Sequence, residues 1–374
     1  MTLSSIVSIS YLAFLSTNVL AQRTVVVPAH FTGTEQSHTQ WISNATGFDA
    51  PMNQPLNDTS FDWWYFDVVQ EPDARGQNHP SMAMTFHTTG RDGMDVFQNL
   101  FPLGLPSNNL IQINLNWPDG GKDAWVLVGD EAVITVEGDG ASGEFRGTGC
   151  AFEGEADLSE YTVHVDAPEK GIVGTFRVRA DVPPHYPCGP AEAGQDMQVV
   201  PGVGWMNAIP DGYGEADFSI RGKPFSVRGR GYHDHNYGSR PFSESAYSAY
   251  WGHGRLGEYA FVWLTVLTPT LEEHVSAYVT KGTEILVARC EGITIRPYGE
   301  HSTYPPTRRT GAPEGFTISV DTPDGLFELQ AETIHIQINF DFYRRFTGRF
   351  AGTLDGEPLP DGVALWEQFA LDKD

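Results

Sequence analysis

The sequence is poor in basic residues. Its 374 residues include 23 lysines and arginines against 48 aspartates and glutamates, which gives a formal charge of −25. Binding to nucleic acid or to an anionic membrane surface needs a positive patch. We therefore expect neither of these partners, and we expect the acidic surface to favour solubility.

Cysteine is scarce as well. The three residues are Cys150, Cys188 and Cys290, and none lies in a Cys-x-x-Cys pair. This number and spacing argue against a zinc ribbon and against thiol redox catalysis. In an oxidising compartment two of them can pair. We expect a Cys150–Cys188 bridge because both residues lie in the first half of the chain, which leaves Cys290 over.

Beyond residue 20 no apolar run is long enough to cross a membrane as a helix. Residues 6–20 are apolar or small, and the run ends at Ala21, which is typical of a signal peptide spanning residues 1–21, although no basic residue precedes it. We therefore expect a secreted or secretory-pathway protein. Two Asn-x-Thr sequons, at Asn44 and Asn57, are expected to carry glycans.

Helical periodicity is absent, and apolar residues instead recur at every second position. Residues 61–67, 110–117, 161–165, 175–179 and 334–340 show this alternation, which is typical of strands. Asp-Gly pairs at 92–93, 119–120, 211–212, 324–325 and 355–356 are expected to form turns between strands. A cluster of strand breakers at 183–190 precedes a division into two β domains, residues 22–200 and 201–374.

Several sequence motifs of catalysis are missing. There is no Gly-x-Ser-x-Gly nucleophile elbow, no phosphate loop and no dinucleotide fingerprint. We expect no cofactor. The remaining candidate chemistry is acid–base or positional catalysis in an aromatic pocket.

Residues 61–67 read Phe-Asp-Trp-Trp-Tyr-Phe-Asp. On a strand, Trp63 and Tyr65 face one way, and Trp64 faces the other. Aromatic residues on both faces indicate that one face packs on a core and the other lines a cavity. A strand buried on both faces is the alternative.

Residues 231–238 contain two histidines, His233 and His235, on one face of a strand. With His253 they could form a three-histidine metal site. The alternative, which we favour, has no metal: one histidine is hydrogen-bonded in the core and the other lines a pocket.

Two further segments are rich in aromatic residues. Residues 245–267 include Trp251, His253 and Trp263, and most of this segment is expected to pack in a core. Near the end, Glu367 adjoins Trp366 on an otherwise apolar strand. A carboxylate buried there is costly unless it is paired or functional, whereas one at a strand end would lie in water.

Together these segments resemble one superfamily. Residues 61–67 match its Trp-Tyr-Phe-Asp signature, and residues 229–238 match its Gly-x-Gly-Tyr-x-Asp-His-Asn-Trp-Gly motif, with Tyr237 where tryptophan is usual. The closing stretch, 350–367, is also similar. This is the carotenoid hydratase-like group, which includes fungal Diels–Alderases. The resemblance implies an all-β fold of two packed lipocalin-like β-barrels or sandwiches, with a ligand pocket at or near their junction.

Within that group the chain is most similar to secreted fungal hetero-Diels–Alderases of tropolonic sesquiterpene biosynthesis. The resemblance implies that a tropolone loses water to give a quinone methide, to which a humulene-type terpene then adds. Its partners would be these two hydrophobic small molecules, and a homodimer is compatible with it.

The resemblance also suggests roles for particular residues. His233, His235 or Tyr232 would donate the proton, and Arg240 would grip the tropolone oxygens. Asp234 and Asn236 are assigned a structural role, tying the motif strand to its neighbour. Residues expected to contact substrate are Trp64, Tyr65, Trp251, His253, Trp263, Trp366 and Glu367.

Two other classes of function remain open. One is a single-substrate hydratase, dehydratase or isomerase acting on a terpenoid. The other is a non-catalytic carrier of a hydrophobic metabolite, as many lipocalin-like barrels are. A His233/His235 face turned away from every pocket would favour the carrier.

Overall fold

The computed structural model describes residues 23–31, 35–71 and 79–372. The expected signal peptide lies outside these residues. The described chain is nearly all strand and forms two large antiparallel sheets, of fifteen and ten strands, and a small two-stranded sheet, β2–β3. None of its helices is long and apolar enough to cross a membrane.

The first large sheet and the small sheet are built from the strands β1 (Arg23–Pro28), β2 (His38–Thr39), β3 (Asn53–Gln54), β4 (Phe61–Gln70), β5 (Ser81–Thr89), β6 (Asn109–Asn116), β7 (Lys122–Gly129), β8 (Glu131–Glu137), β9 (Gly140–Arg146), β10 (Cys150–Gly154), β11 (Glu160–Ala167), β12 (Ile172–Ala180), β13 (His185–Tyr186), β14 (Gly189–Pro190), β15 (Gln198–Val200), β16 (Val203–Ile220) and β17 (Lys223–Gly238).

The second large sheet contains β18 (Ser248–Leu256), β19 (Tyr259–Leu267), β20 (Glu273–Lys281), β21 (Glu284–Arg289), β22 (Ile293–Tyr298), β23 (Gly315–Thr322), β24 (Gly325–Asn339), β25 (Tyr343–Leu354), β26 (Glu357–Pro358) and β27 (Gly362–Ala370). Among the described residues, helical structure is confined to two 3₁₀ turns, Asp95–Asn99 and Pro168–Lys170, and the short helix α1 (Phe242–Ser245).

Each large sheet curls around its own apolar core, as expected for lipocalin-like halves. In the first sheet the alternating side chains of β6, such as Ile111 and Ile113, point into that core and are fully buried. The second sheet encloses Trp263, Phe350 and Trp366. A third cluster, which includes Tyr65, Trp205 and Trp251, lies between the sheets.

The division between the sheets falls between Gly238 and Ser248, whereas the sequence suggested a domain division at residue 200. Strands β16 and β17 continue the first sheet, because β17 pairs with β4 on its other side. The Asp-Gly pair at 211–212 does not form the expected turn. It lies within β16, where the register with β17 shifts at a bulge between Ile209 and Gly212.

The disulfide differs from the expected one. Cys188, between β13 and β14, pairs with Cys290, which follows β21, so the bridge links the two sheets. Cys150 is free and points into the first core with 3% of its surface exposed. Burial raises the pKa of its thiol to about 12. The pairing expected from chain position fails because β10 directs Cys150 inward, away from Cys188.

Removing this bridge should destabilise the protein. It closes a loop with a sequence separation of 102 residues, so the Cys188→Ala/Cys290→Ala variant should lose about 2–4 kcal/mol of unfolding free energy. Denaturant titration measures the loss, and reductant should lower wild-type stability without affecting the variant. Thiol titration of the unfolded, unreduced wild type should find one free thiol. Three thiols would contradict the bridge.

Candidate functional site

A pocket lies between the two sheets, where the third apolar cluster leaves space. Strands β4, β5, β6, β16 and β17 of the first sheet line it, and β18, β19, β25 and β27 of the second complete it. Its walls are mainly aromatic: Trp63, Tyr65, Phe97, Trp205, Phe242, Trp251, Phe340, Phe342, Tyr343 and Phe369. Such a lining suits a largely apolar, planar ligand.

Polar side chains cross the floor of the pocket in a row, which we call the polar row: Asp234, Tyr65, Thr85 and Gln112. Asp234 lies opposite Tyr65 in the β17–β4 pair, and Thr85 lies opposite both Tyr65 and Gln112 in the next two pairs. Residues directly opposite each other in antiparallel strands share a face of the sheet. Strand register therefore brings together residues that are far apart in the chain.

Asp234 is the acid of this row, with 3% of its surface exposed. One carboxylate oxygen accepts hydrogen bonds from Trp205 Nε1 at 2.7 Å and from the Tyr232 hydroxyl at 2.8 Å, and the other accepts from Asn236 Nδ2 at 2.9 Å. Burial raises the pKa of Asp234 to about 7, against the opposing hydrogen bonds from Trp205 and Tyr232. This carboxyl group can thus hold or release a proton near neutral pH.

A buried ion pair forms another part of the wall. Arg345 Nε donates to Glu367 at 2.7 Å, and the Tyr343 hydroxyl donates to the same oxygen at 2.5 Å. Burial raises the pKa of Glu367, although Arg345 opposes the shift. The Arg345 guanidinium lies 4.9 Å from the centroid of the Tyr65 ring. The cation is therefore compensated by Glu367 and also faces an aromatic ring.

His87 faces the pocket from β5, opposite Trp63. Burial and the nearby Arg345 charge lower the pKa of its imidazole to about 3. His87 is therefore neutral at physiological pH, and it can both donate and accept a hydrogen bond.

Three of the residues expected to contact substrate line the pocket: Tyr65, Trp251 and Glu367. Trp64 does not, because it lies on the other face of β4, in the first core, where its Nε1 donates to Asp49 O at 3.1 Å. Trp263 and Trp366 are also displaced from the expected position, since both point into the core of the second sheet.

His253 lies beside the pocket without lining it. Its Nε2 is 3.0 Å from Asp67 Oδ2, and its ring stacks on Tyr232 at 4.6 Å, so it joins β18 of the second sheet to the first. Tyr232 is fully buried behind the pocket wall, where its hydroxyl donates to Asp234 and its ring packs 5.1 Å from the ring of Trp251. Arg240 instead holds a loop, donating to Ser245 Oγ at 2.9 Å and to Pro201 O.

The two histidines of the motif do not face the pocket, contrary to the expectation from the sequence. His233 and His235 point into the first sheet, away from the pocket, and both are fully buried. His233 Nε2 lies 3.2 Å from Asp49, and His235 Nε2 lies 3.1 Å from Asp62. Alternation on β17 was anticipated correctly, but the pocket lies on the face that carries Asp234 and Asn236.

These contacts form a buried charge cluster of Asp49, Asp62, His233 and His235. Burial opposes charging of His235, but hydrogen bonds to Asp49 and Asp62 outweigh it and raise the pKa to about 9. Burial likewise opposes charging of Asp49, yet His233 and His235 lower its pKa. The cluster ties the segment before β4 to β17. Among the described residues, no group of histidine, cysteine and acidic side chains is arranged to hold a metal ion.

The sequence alone did not indicate that Trp63, His87, Trp205, Tyr343 and Arg345 line the pocket, and it suggested only a structural role for Asp234 and Asn236. Trp63 could have been found, because it shares a strand face with Tyr65. His87 and Arg345 lie outside the segments that carried a sequence signal, and only the sheet register brings them to the pocket.

The two sequons lie on the described surface. Asn44 is exposed, with its amide donating to Gln40 at 3.1 Å. Asn57 is half-buried, and its side-chain oxygen accepts from the backbone of Thr59 and Ser60. Glycosylation of either residue stays a prediction.

Comparison with known proteins gives consistent results. A family model described as Diels-Alderase-like matches residues 29–291. The chain is 35% identical over 344 residues to a quinolone epoxide rearrangement protein (asqO) of Emericella nidulans, covering 91% of each chain. It is 28% identical over 190 residues to the Diels-Alderase cheD of Chaetomium globosum, covering 50% of this chain and 41% of that protein. The crystal structure of CghA with Sch210972 superposes with a TM-score of 0.74 at 18% identity, covering 93% and 99% of the two chains.

The charge cluster should make stability depend on pH. The pKa of His235 rises from 6.5 to about 9 on folding. The stabilisation of the folded state by charged His235 is therefore fully present below pH 6.5 and is lost as the pH rises through about 9. Wild-type unfolding free energy, measured by denaturant titration, should therefore fall by ~3 kcal/mol more across this window than that of His235→Gln. The control His164→Gln, at an exposed position on β11, should behave as wild type. Equal slopes for all three proteins would contradict a charged His235.

Proposed function

Since the chain belongs to the Diels-Alderase-like family, we propose that it is an enzyme that rearranges an epoxide on an aromatic small molecule of the quinolone class. Asp234 would be the proton donor. The observation that carries the proposal is a buried carboxyl group in an aromatic pocket whose pKa, raised by burial, is about 7. A carboxyl group held protonated near neutral pH can donate to a developing oxyanion.

The proposed reaction is an isomerisation. The Asp234 O–H donates its proton to the epoxide oxygen as one C–O bond breaks, and positive charge develops on the released carbon. A neighbouring group then migrates or closes a ring onto that carbon. A proton leaves the product and returns to the Asp234 carboxylate, so substrate and product have the same atoms.

The pocket walls can stabilise the positive charge that develops on the released carbon. Trp63, Tyr65 and Trp251 line the same pocket as Asp234, and an aromatic ring can stabilise a nearby cation. The enclosing walls also keep water from capturing the intermediate. A quinolone epoxide is the substrate class favoured here because the relative that covers 91% of this chain carries that activity in its name.

An intermolecular hetero-Diels–Alder reaction between a tropolone quinone methide and a humulene-type terpene is the second candidate. The family and the relative cheD support pericyclic chemistry in general. In this reaction the Asp234 O–H would bind the quinone oxygen and lower the energy of the accepting orbital. The donor role would pass from His233, His235 and Tyr232 to Asp234, since the histidine face turns away from the pocket.

That orientation of the histidines, taken alone, favours the carrier. We nevertheless prefer an enzyme, because the pocket contains Asp234, whose proton is exchangeable near neutral pH, and a carrier of an apolar metabolite has no need of a buried acid.

We also propose passage through the secretory pathway. The Cys188–Cys290 bridge supports it, since disulfides persist in oxidising compartments.

Asp234→Asn should lower kcat about 10²- to 10⁴-fold while the protein stays folded, because the amide oxygen can still accept from Trp205 and Tyr232 but the amide cannot donate an acidic proton. Wild-type kcat should fall as the pH rises through about 7, where Asp234 loses its proton. The matched control is Asp321→Asn, whose side chain on β23 is 74% exposed. Chromatographic turnover assays measure both, and unchanged kcat in Asp234→Asn would remove the acid from the mechanism.

The two candidate reactions can be separated by supplying both sets of substrates. We expect the protein to convert a quinolone epoxide into one isomeric product faster than the buffer control. A single stereoisomer formed only from a tropolone quinone-methide precursor and a hydroxylated humulene would favour the second candidate. Chiral chromatography distinguishes these results. If the protein accelerates neither reaction, the carrier becomes the favoured function.

A further inference from the structure

Among the described residues, three side chains that line the pocket have buried polar atoms without a hydrogen-bond partner. One is Trp251 on β18, and the other two, Tyr65 and His87, lie on the neighbouring strands β4 and β5. The Tyr65 hydroxyl and both ring nitrogens of His87 are buried in this way. Each residue has only 5% of its surface exposed, and both line the pocket. Buried polar groups in proteins are almost always hydrogen-bonded, so groups left unpaired in a pocket wall indicate where a ligand supplies the partner.

The Tyr65 hydroxyl stays protonated throughout the physiological pH range, so it can donate a hydrogen bond. Burial raises the pKa of its phenol well above the usual value, and the nearby Arg345 cation opposes this shift without cancelling it. His87 is neutral, because burial and Arg345 lower its pKa to about 3. Neither group carries a charge, and the charge of Arg345 is already balanced by Glu367. A neutral acceptor fits such a subsite better than a carboxylate does.

The position of Tyr65 relates this subsite to the proposed acid. Tyr65 lies directly opposite Asp234 in the β17–β4 pair, where side chains on one face begin about 5 Å apart. A ring oxygen bound to Tyr65 would therefore hold a neighbouring atom of the same ring within reach of Asp234.

We propose that the Tyr65 hydroxyl is a specificity-determining group that donates a hydrogen bond to a neutral ring carbonyl of the substrate, such as a lactam, with His87 as the second polar contact. This rests on the proposed function for the reaction itself, but it concerns binding and does not require turnover. The subsite would bind carbonyl-bearing rings more tightly than hydrocarbons of the same shape, because a hydrocarbon leaves Tyr65 and His87 without a hydrogen-bond partner.

Two unreactive probes test the proposal: 4-phenylquinolin-2(1H)-one, which has the lactam, and 1-phenylnaphthalene, which has the same shape without it. Their Kd values are measured by quenching of tryptophan fluorescence in wild type, Tyr65→Phe and His87→Phe. Tyr65→Phe should weaken quinolone binding about 5- to 30-fold, the range for loss of one hydrogen bond. It should leave naphthalene binding within about two-fold. His87→Phe should show the same pattern with a smaller loss.

The matched control is Tyr250→Phe. It removes another buried hydroxyl with no partner among the described residues, but in the core of the second sheet, and it should change neither Kd. Circular dichroism checks that each variant is folded. Equal weakening of both probes by Tyr65→Phe, no weakening of either, or failure of wild type to bind the quinolone would each overturn the proposal. Failure of the proposed function appears separately, as unchanged turnover in Asp234→Asn with the probe pattern intact.

Discussion

The structure depends on one strand that is buried on both faces. Strand β17 pairs with β16 and β4 inside the first sheet, and the second sheet covers its outer face. A strand in this position must satisfy its polar side chains on two separate sides. His233 and His235 are satisfied by Asp49 and Asp62 within the first sheet, and Asp234 is satisfied by Trp205 and Tyr232 between the sheets.

The acidic residues between the sheets differ in the partners that their carboxyl groups contact. Asp67 has His253, Asp211 has Arg255 and Glu367 has Arg345, and in each pair the basic residue comes from the second sheet. The hydrogen bonds to Asp234 come from neutral groups instead, namely Trp205, Tyr232 and Asn236. Burial raises the pKa of Asp211, of Glu367 and of Asp234. For Asp234, whose hydrogen-bond partners carry no charge, the pKa reaches about 7. The Asp67–His253 and Asp211–Arg255 contacts thus join the two sheets, while Asp234 faces the pocket.

The fold was predictable from the sequence because its main signal is local. Alternation and turn residues identified β4, β6, β11, β12 and β24, and the motif segments indicated two lipocalin-like halves. The site was predictable only in part. Alternation separates the two faces of β17, but it does not tell which face meets the pocket, since that depends on where the second sheet packs. Nor could it indicate His87 or Arg345, which reach the pocket only through sheet register, or the partner of Cys188, which lies on the other sheet.

The buried glycines of the motif strand have a consequence for how the site can vary. A Cβ atom on Gly231 would lie 3.0 Å from Cα of Gly214, and one on Gly229 would lie 2.1 Å from the Val69 carbonyl oxygen. At these two positions β17 therefore leaves no room for a side chain between β16 and β4. Variation in ligand size must then arise at the opposite wall, in the aromatic side chains of β18 and β25 and in the 3₁₀ turn around Phe97. A substrate range could widen or narrow by remodelling this roof, while the acid keeps its place.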